Sequence, residues 1–528
     1  MSTIRNAHWR TRAARALQQF AESITKHRLG CLLVASWVWR VLLIYRGGPL
    51  SWPDDSRYFR TAALLEHIAA GRVSAAVDLL ATSLDHWFFI VIGVPPALFQ
   101  ISVTKSITEL STLFGTPVSF SDDSTIWLAA AVLALGSVAN IGLLHAIVRK
   151  LGGSPEAAFL AALFLACASS TLHLTRHLVP YETSLTFALW AIWVGVAREW
   201  RLRTSLLCGV LCALSFLTYN TYWITNLAVL LIHALRGTEW RFRLKRGLSV
   251  AVAFWVPLLL LSLASVSRGG DSLFSALSQL AASVTQGDYR EGWSLPWAYF
   301  WHAEHGLLML WAAGVLIVLW RWLRGGGAAG GIALVALLPP LITYGWLAVS
   351  STMLHRLVVY ARNTNQMVPF LCLAAGSAVA AIPNRRVRGI IVVLALVQTA
   401  FNFAPQYRLV FPHEVREREH ARRKSIRDDV TIYGQFWHMN ARGQQVFEDR
   451  YSQKDAPPPP TRYVLLNAGV LFLPLQGPKP PPLGRVVFRE RHMLSYLPYQ
   501  YEAFNAAERA MLRSTDISMR LIDTKQPP

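Results

Sequence analysis

Residues 86–101 read HWFFIVIGVPPALFQI. An apolar run of this size approaches the roughly 20 residues that a helix needs to cross a bilayer core. Pro95 and Pro96 sit in its middle, where a continuous helix would lose two backbone hydrogen bonds. Whether this run crosses determines the side on which every later loop falls, so the whole topology hangs on it.

The rest of the chain is of the same character. It has 528 residues, 53% hydrophobic and 15% charged, with 20 tryptophans and a mean hydropathy of +0.34. That is too apolar for a single water-soluble core and places the chain in a membrane. Besides 86–101, runs long enough to span lie at 29–46, 126–148, 157–174, 183–198, 205–220, 221–236, 248–266, 304–320, 331–350, 365–382 and 389–405. If 86–101 is threaded as a further span, basic loops fall on both sides. If it lies along the interface, they separate. One side then holds the basic N-terminus, Arg149-Lys150, Arg198 to Arg203, Arg236 to Arg246, Arg321/Arg324 and Arg385 to Arg388. The positive-inside rule makes that side cytoplasmic. The other side receives the loop 47–125, the turn 175–182, the loop 267–303, the turn 351–364 and everything after 405.

The expected fold is therefore an all-α polytopic membrane bundle of about 11 transmembrane helices. Residues 1–28 form a cytoplasmic basic segment, 29–405 the membrane domain with its large first extracytoplasmic loop, and 406–528 a small mixed extracytoplasmic region. Within the last, Tyr463–Leu473 reads as a strand, and Asn505 with Glu508 has capping-box spacing ahead of a short helix. The formal charge of +21 is largely orienting charge, which removes the main reason to expect nucleic-acid binding. The five cysteines lie in or beside apolar runs without a CxxC pair, which argues against disulfides and thiolate metal sites. The N-terminus lacks a cleavable signal pattern, so the first apolar run is expected to stay as an anchor.

Chemistry is concentrated on the outer side. Residues 50–58 read LSWPDDSRY, with Asp54 and Asp55 just past the first span. A loop carboxylate can simply solvate a turn or pair with Arg57. Two adjacent ones repel unless a cation compensates, and oxygen ligands of this kind suit Mg²⁺ or Mn²⁺, without demanding either. His355, Arg356, Tyr360 and Arg362 stand on an outer turn, against the positive-inside trend. They read either as interfacial anchors or as phosphate ligands, for which the guanidinium fork is suited. Arg40 falls inside the first span and must face a partner or a cavity. Arg176, His177 and Glu182 read as a structural ion-pair cluster or as substrate contacts, and Asp288 to Trp293 as a lid or a solvated loop.

The stretch Asp54-Asp55-Ser56-Arg57-Tyr58, placed directly after the first span, resembles the first extracytoplasmic loop of the GT-C glycosyltransferases. The resemblance is to their protein O-mannosyltransferase and lipid A aminoarabinose transferase branches, where this loop reads acidic-acidic-x-x-Tyr. Three later segments resemble the same family in order: Arg149-Lys150-Leu151-Gly152-Gly153, Thr175 to Glu182, and Arg362 with Met367-Val368-Pro369-Phe370-Leu371. The likeness covers roughly residues 29–400. One departure is plain. Where the family often has His-Pro-Pro or Lys-Pro, this chain has Asp85-His86-Trp87, with its prolines displaced to 95 and 96.

The resemblance implies transfer of a sugar from a polyprenyl-phosphate donor to an acceptor protein, lipid or glycan. It makes Asp54 the general base, with Asp55 hydrogen-bonding the acceptor, helping to bind a divalent cation or fixing the loop. Arg57, Tyr58, His86, Arg176, Glu182, His355, Arg356, Tyr360 and Arg362 become candidate substrate contacts. The implied location is a plasma membrane, a bacterial inner membrane for preference, with the site facing outward. A transporter or flippase of lipid-linked substrates, and a non-catalytic envelope assembly protein, are the competing classes. A transporter would more naturally carry charges at the bilayer midplane, where this sequence has little beyond Arg40.

Overall fold

A computed structural model of the chain describes residues 27–49, 56–113, 122–197, 200–237, 239–284, 289–324, 327–409, 430–433, 436–439, 445–448, 462–467, 484–491, 493–513 and 518–526. Asp54, Asp55 and Asp288 lie outside the described residues. So do most of 1–28 and residues 468–473 of the expected strand.

Helices dominate the described residues. In chain order they begin with α1 (Arg28–Arg46), α2 (Ser56–Ala69), α3 (Val73–Thr82), α4 (Trp87–Ile92), α5 (Val94–Leu113) and α6 (Asp122–Lys150). Next come α7 (Pro155–Cys167), α8 (Ser169–Leu174), α9 (Tyr181–Gly195), α10 (Leu202–Thr218), α11 (Trp223–Leu235), α12 (Trp240–Ser267) and α13 (Leu273–Val284). Then follow α14 (Leu295–Glu304), α15 (Gly306–Leu323), α16 (Gly327–Ala348), α17 (Ala361–Thr364), α18 (Val368–Ala380) and α19 (Arg385–Tyr407). Each of the expected spans coincides with one or two of these. Six helices are long and apolar enough to cross a membrane unaided, namely α1, α6, α12, α15, α16 and α19. The others are shorter. A helix of 13 residues, such as α11 or α18, covers only about 20 Å of the roughly 30 Å hydrocarbon core. By length and apolarity the described helices thus give six crossings, fewer than the expected eleven; α7 is continued by α8 after the break at Ala168.

The run 86–101 does not form one helix. A single 3₁₀ turn, Leu84–His86, leads into α4, and the α3 and Leu84–Ile92 segments meet at a bend of 76°. Pro95 and Pro96 fall in the first turn of α5, where no helical N–H is required of them. The interruption expected at the prolines is thus a junction between two helices.

Side-chain caps mark two helix starts. Ser154 accepts a hydrogen bond from the Ala157 amide at 3.1 Å, with Pro155 in the first turn of α7. Asn384 accepts from the Arg386 and Val387 amides at the start of α19. Both are favoured N-caps.

The basic turns gather at one end of the bundle. Arg28 pairs with Glu156 at 2.8 Å, Lys150 reaches the Trp193 carbonyl at 2.6 Å, and Arg246 reaches the Ala197 and His233 carbonyls. At the other end lie the first long loop, the turn 175–180 and the C-terminal region. Arg40 is buried inside the bundle and donates to Ser137 Oγ, the Ser36 carbonyl and Thr171 Oγ1 at 3.1, 3.2 and 3.4 Å. Its intramembrane charge meets polar partners on α1, α6 and α8.

α18 forms the axis of the core, with nearly every residue buried. Close approach makes this possible. A Cβ on Gly376 would sit 2.4 Å from the Ala161 nitrogen of α7, and one on Gly314 of α15 would sit 2.6 Å from the Ala375 nitrogen. Small residues at such crossings let membrane helices pack backbone to backbone.

Beyond α19 the described residues form a small mixed α/β unit. Its strands are β1 (Val430–Tyr433), β2 (Phe436–Met439), β3 (Gln445–Glu448), β4 (Tyr463–Asn467), β5 (Arg485–Arg491) and β6 (Ser518–Asp523). They form a sheet in the order β1-β4-β6-β5 and a β2-β3 hairpin. Helices α20 (Leu497–Ala503) and α21 (Ala506–Arg513) lie between β5 and β6. The capping box is present: Asn505 Oδ1 accepts from the Glu508 amide at 3.0 Å, and Glu508 accepts from the Asn505 amide at 2.9 Å.

Replacing Gly376 by Leu inserts a side chain where a neighbouring backbone already lies. Overpacking of this kind costs about 1–3 kcal/mol even where neighbours can yield, and a backbone cannot yield like a side chain. The expected outcome is a sharp loss of folded protein in detergent, read by size-exclusion profile and thermal melt, with Gly345→Ala, which meets open space, as the tolerated control.

Candidate functional site

A cavity of about 580 Å³ opens at the end of the bundle away from the basic turns. That size is typical of a small-molecule site. Its polar end is built from separate elements. The first turn of α2 supplies Arg57, the 3₁₀ turn His86, the turn after α10 Tyr219 and Asn220, and the segment before and within α17 Arg356, Tyr360, Arg362 and Asn363. Its other end is an apolar groove between α10, α11, α12 and α16. Phe216, Trp223, Leu227, Leu230, Val250, Phe254, Trp255 and Trp346 line it. Trp223, Leu227 and Leu230 follow one another down a single helix face, so the groove runs for about 10 Å along the bundle. Trp223, Leu227, Trp255 and Trp346 are also exposed on the bundle surface. The groove is therefore open on its flank as well as at its mouth.

Electrostatics hold the polar end in place. Arg60 donates to Asp85 Oδ1 at 2.7 Å, and the other oxygen of Asp85 stands 2.9 Å from His86 Nδ1. The carboxylate can only accept, so Nδ1 carries the proton and the ring is oriented with its other nitrogen away from Asp85. Burial pushes the Asp85 carboxyl up, but the bonds and charges of His86 and Arg60 outweigh it and hold it well below the usual carboxylate range. His86 itself is buried, with its ring 5.7 Å from that of Tyr219. The Arg57 guanidinium lies 5.7 Å from the same Tyr219 ring, and that of Arg362 lies 4.5 Å from the Tyr360 ring.

Of the residues singled out in the sequence, Arg57, His86, Arg356, Tyr360 and Arg362 converge on this cavity. Four do not line it. Tyr58 is 2% exposed and packs with Ile44, Phe89 and Leu178, because on a helix the residue next to Arg57 points to another face. Arg176 is buried and donates to the Gly47 and Gln406 carbonyls at 3.0 and 2.6 Å, tying the first loop to the end of α19. Glu182 is buried too, and its two oxygens accept from Asn140 and Asn365 at 3.0 and 2.9 Å. His355 is exposed at positive φ and packs against Tyr289. Asp54 and Asp55, the expected base and cation ligands, lie outside the described residues. Among the described residues no group of three or more His, Cys, Asp or Glu side chains is arranged to hold a metal.

Tyr219, Asn220, Trp223 and the Arg60–Asp85 pair were not anticipated. Asn220 and its aromatic neighbours fall at the seam between two apolar runs, NTYW at 220–223, and that polar-aromatic punctuation is the signal that marks them.

No protein-family model matches the sequence, and no curated protein matches it. Solved structures do resemble this chain's fold. The archaeal oligosaccharyltransferase AglB from Archaeoglobus fulgidus, in complex with an inhibitory peptide and a dolichol-phosphate, aligns over 73% of this chain and 56% of that one, at 12% identity and a TM-score of 0.42. ArnT from Cupriavidus metallidurans in the apo state aligns over 71% of this chain and 63% of its own, at 17% identity and a TM-score of 0.46. The same protein bound to undecaprenyl phosphate gives 19% identity and a TM-score of 0.45, over 70% and 63% of the two chains. The chain thus spans less than two thirds of the length of each.

The Asp85 contacts carry a pH signature. A depressed folded-state pKa means that this contribution to stability is present above the ordinary carboxylate value and is lost as pH falls toward the folded value. Asp85→Asn should lower the melting temperature at neutral pH, with an expected cost of about 1–3 kcal/mol, chiefly for leaving the buried His86 without its carboxylate, since Arg60 is 39% exposed. It should also reduce the loss of stability that wild type shows between pH 5 and pH 3, as read by thermal melts across that range.

Proposed function

We propose that the chain is an integral-membrane glycosyltransferase that moves a hexosyl or pentosyl group from a polyprenyl-phosphate donor to an acceptor protein, lipid or glycan. The observation that carries this reading is the composite cavity: guanidinium groups and a histidine at one end, an aromatic-lined apolar groove open to the bundle flank at the other. An isoprenoid chain fits the groove by hydrophobic burial, and the phosphate meets Arg57, Arg356 and Arg362, whose planar forks match its oxygens. A soluble sugar nucleotide has no use for the groove. A simple ion or solute transporter has no use for a cationic pocket placed at the end of the spans.

In this reading Asp54, three residues before Arg57 in the chain, removes the proton from the acceptor hydroxyl. The resulting oxygen attacks the anomeric carbon, and the bond from that carbon to the phosphate oxygen breaks. Polyprenyl phosphate leaves with its charge held by the arginines; His86, whose Nδ1–H is committed to Asp85, can donate to it only as the doubly protonated imidazolium. Asp55 binds the acceptor or a divalent cation, Mg²⁺ or Mn²⁺; a bound cation would add positive charge beside the leaving phosphate. With the basic turns at the cytoplasmic end, the cavity faces the outside of a plasma membrane, in a bacterium the periplasm.

Purified protein supplied with a panel of radiolabelled polyprenyl-phosphate sugars tests this directly. Wild type should transfer one of them, and Asp54→Asn should lower the rate by about 10²–10⁴-fold, the usual worth of a general base. Arg356→Ala should chiefly raise the KM for donor. Failure to transfer any sugar, combined with movement of intact lipid-linked sugar across vesicles, would instead favour a flippase. Neither activity, with Asp54→Asn supporting normal growth of the host, would favour an assembly protein.

The groove has its own test. Ala251 lines it from α12, and Ala251→Phe should weaken use of a long-chain donor by about tenfold while sparing a short-chain analogue, since one to two filled methylene positions cost about 0.8 kcal/mol each. Equal losses for both donors would place the chain elsewhere.

A further inference from the structure

Arg362 lines the cavity, yet what stands behind it comes from the far end of the sequence. Its Nη1 is 3.8 Å from Glu502 Oε2, and Glu502, on α20, is 3% exposed. A carboxylate so deeply placed needs a cation close by. The Tyr360 ring covers another side of the same guanidinium at 4.5 Å. Arg362 is thereby held between an aromatic face and a carboxylate. A guanidinium has five N–H donors, so it can serve a carboxylate and still present a fork to a ligand.

The platform carrying Glu502 is itself pinned to the bundle. The Tyr499 hydroxyl donates to the His173 carbonyl at 3.3 Å and lies 3.2 Å from His177 Nε2. On α21, Arg509 forms an ion pair with Glu291. α20 packs on α14 and α17, the helix that bears Arg362. A residue on this platform is as fixed as the core beneath it.

From this arrangement we infer that Glu502 is a positioning residue for the donor site: it orients the Arg362 guanidinium toward the phosphate, so the C-terminal region supports the cavity from behind. The inference rests on the function proposed above, with the donor phosphate at Arg362. It assigns the residues after α19 a role in donor recognition in addition to any part in covering the bundle.

The test is a double-mutant cycle on the full chain in detergent micelles, with undecaprenyl phosphate as probe and native mass spectrometry as readout. Glu502→Gln should weaken binding by about tenfold, a typical coupling for contacting charges. Glu502→Asp, which keeps the charge but retracts it by one methylene, should cause a smaller loss. Neither change should weaken binding further once Arg362 is Ala. Wild-type affinity in Glu502→Gln overturns the inference, and so does a loss of equal size in the Arg362→Ala background, because a merely structural effect adds independently. If Glu502→Gln fails to fold, Glu502→Asp carries the cycle alone, and unchanged affinity there overturns it. Wild type that binds no polyprenyl phosphate overturns the proposed function and this inference with it; wild-type binding insensitive to both Arg362→Ala and Glu502→Gln overturns this inference alone.

Discussion

A helix that ends inside a membrane-embedded bundle leaves backbone N–H groups with no water to satisfy them. This chain meets that constraint at Ala168, where α7 stops and α8 begins at a new angle. The carboxylate of Glu304, fully buried at the end of α14, accepts the Ser169 and Ser170 amides at 3.0 and 2.7 Å. Asn402 of α19 completes the junction by donating to Ser169 Oγ and to the Ala303 carbonyl. Three stretches far apart in sequence are locked at one point. Just beyond it, Arg176 holds Gly47 at the root of the first long loop and Gln406 at the root of the C-terminal region. The roots of the first long loop and of the C-terminal region are therefore tied near the same break.

From that anchor the site follows by division of labour. The buried charges hold the scaffold: Arg40 binds hydroxyls and a carbonyl, Glu182 binds two amides, Glu304 binds two backbone N–H groups. Two groups at the cavity are backed from behind by carboxylates, His86 by Asp85 and Arg362 by Glu502. A ligand-facing cation that is already oriented loses less freedom when it binds than one that must be ordered on arrival.

The bundle was largely legible in the sequence because hydrophobic run length is a local property. Each expected span found its helix, and Asn505 and Glu508 formed the box that their spacing implies. Boundaries were less legible. The prolines at 95 and 96 looked like a break within one element and proved to open the next. Arg356 and Arg362, at the cavity, drew notice in the sequence because they run against its charge pattern. Tyr58, adjacent to Arg57, points into the core, since neighbouring residues on a helix are rotated by about 100°. The pairing of Arg362 with Glu502 could not be read at all. It spans a separation that only the folded C-terminal region closes, and no local pattern marks one glutamate among several in a polar tail.

That division has a consequence for how such a site tolerates change. The groove is specified by size and apolarity alone, properties that many side chains share, so its residues can drift while the groove persists. The cationic end is specified by particular pairs, in which loss of one member strands the other in a poorly solvated place. Substitutions at Leu227 or Leu230 among similar apolar residues therefore leave the architecture intact. Substitutions at Asp85 or Glu502 remove the counter-charge that keeps a cavity cation in position.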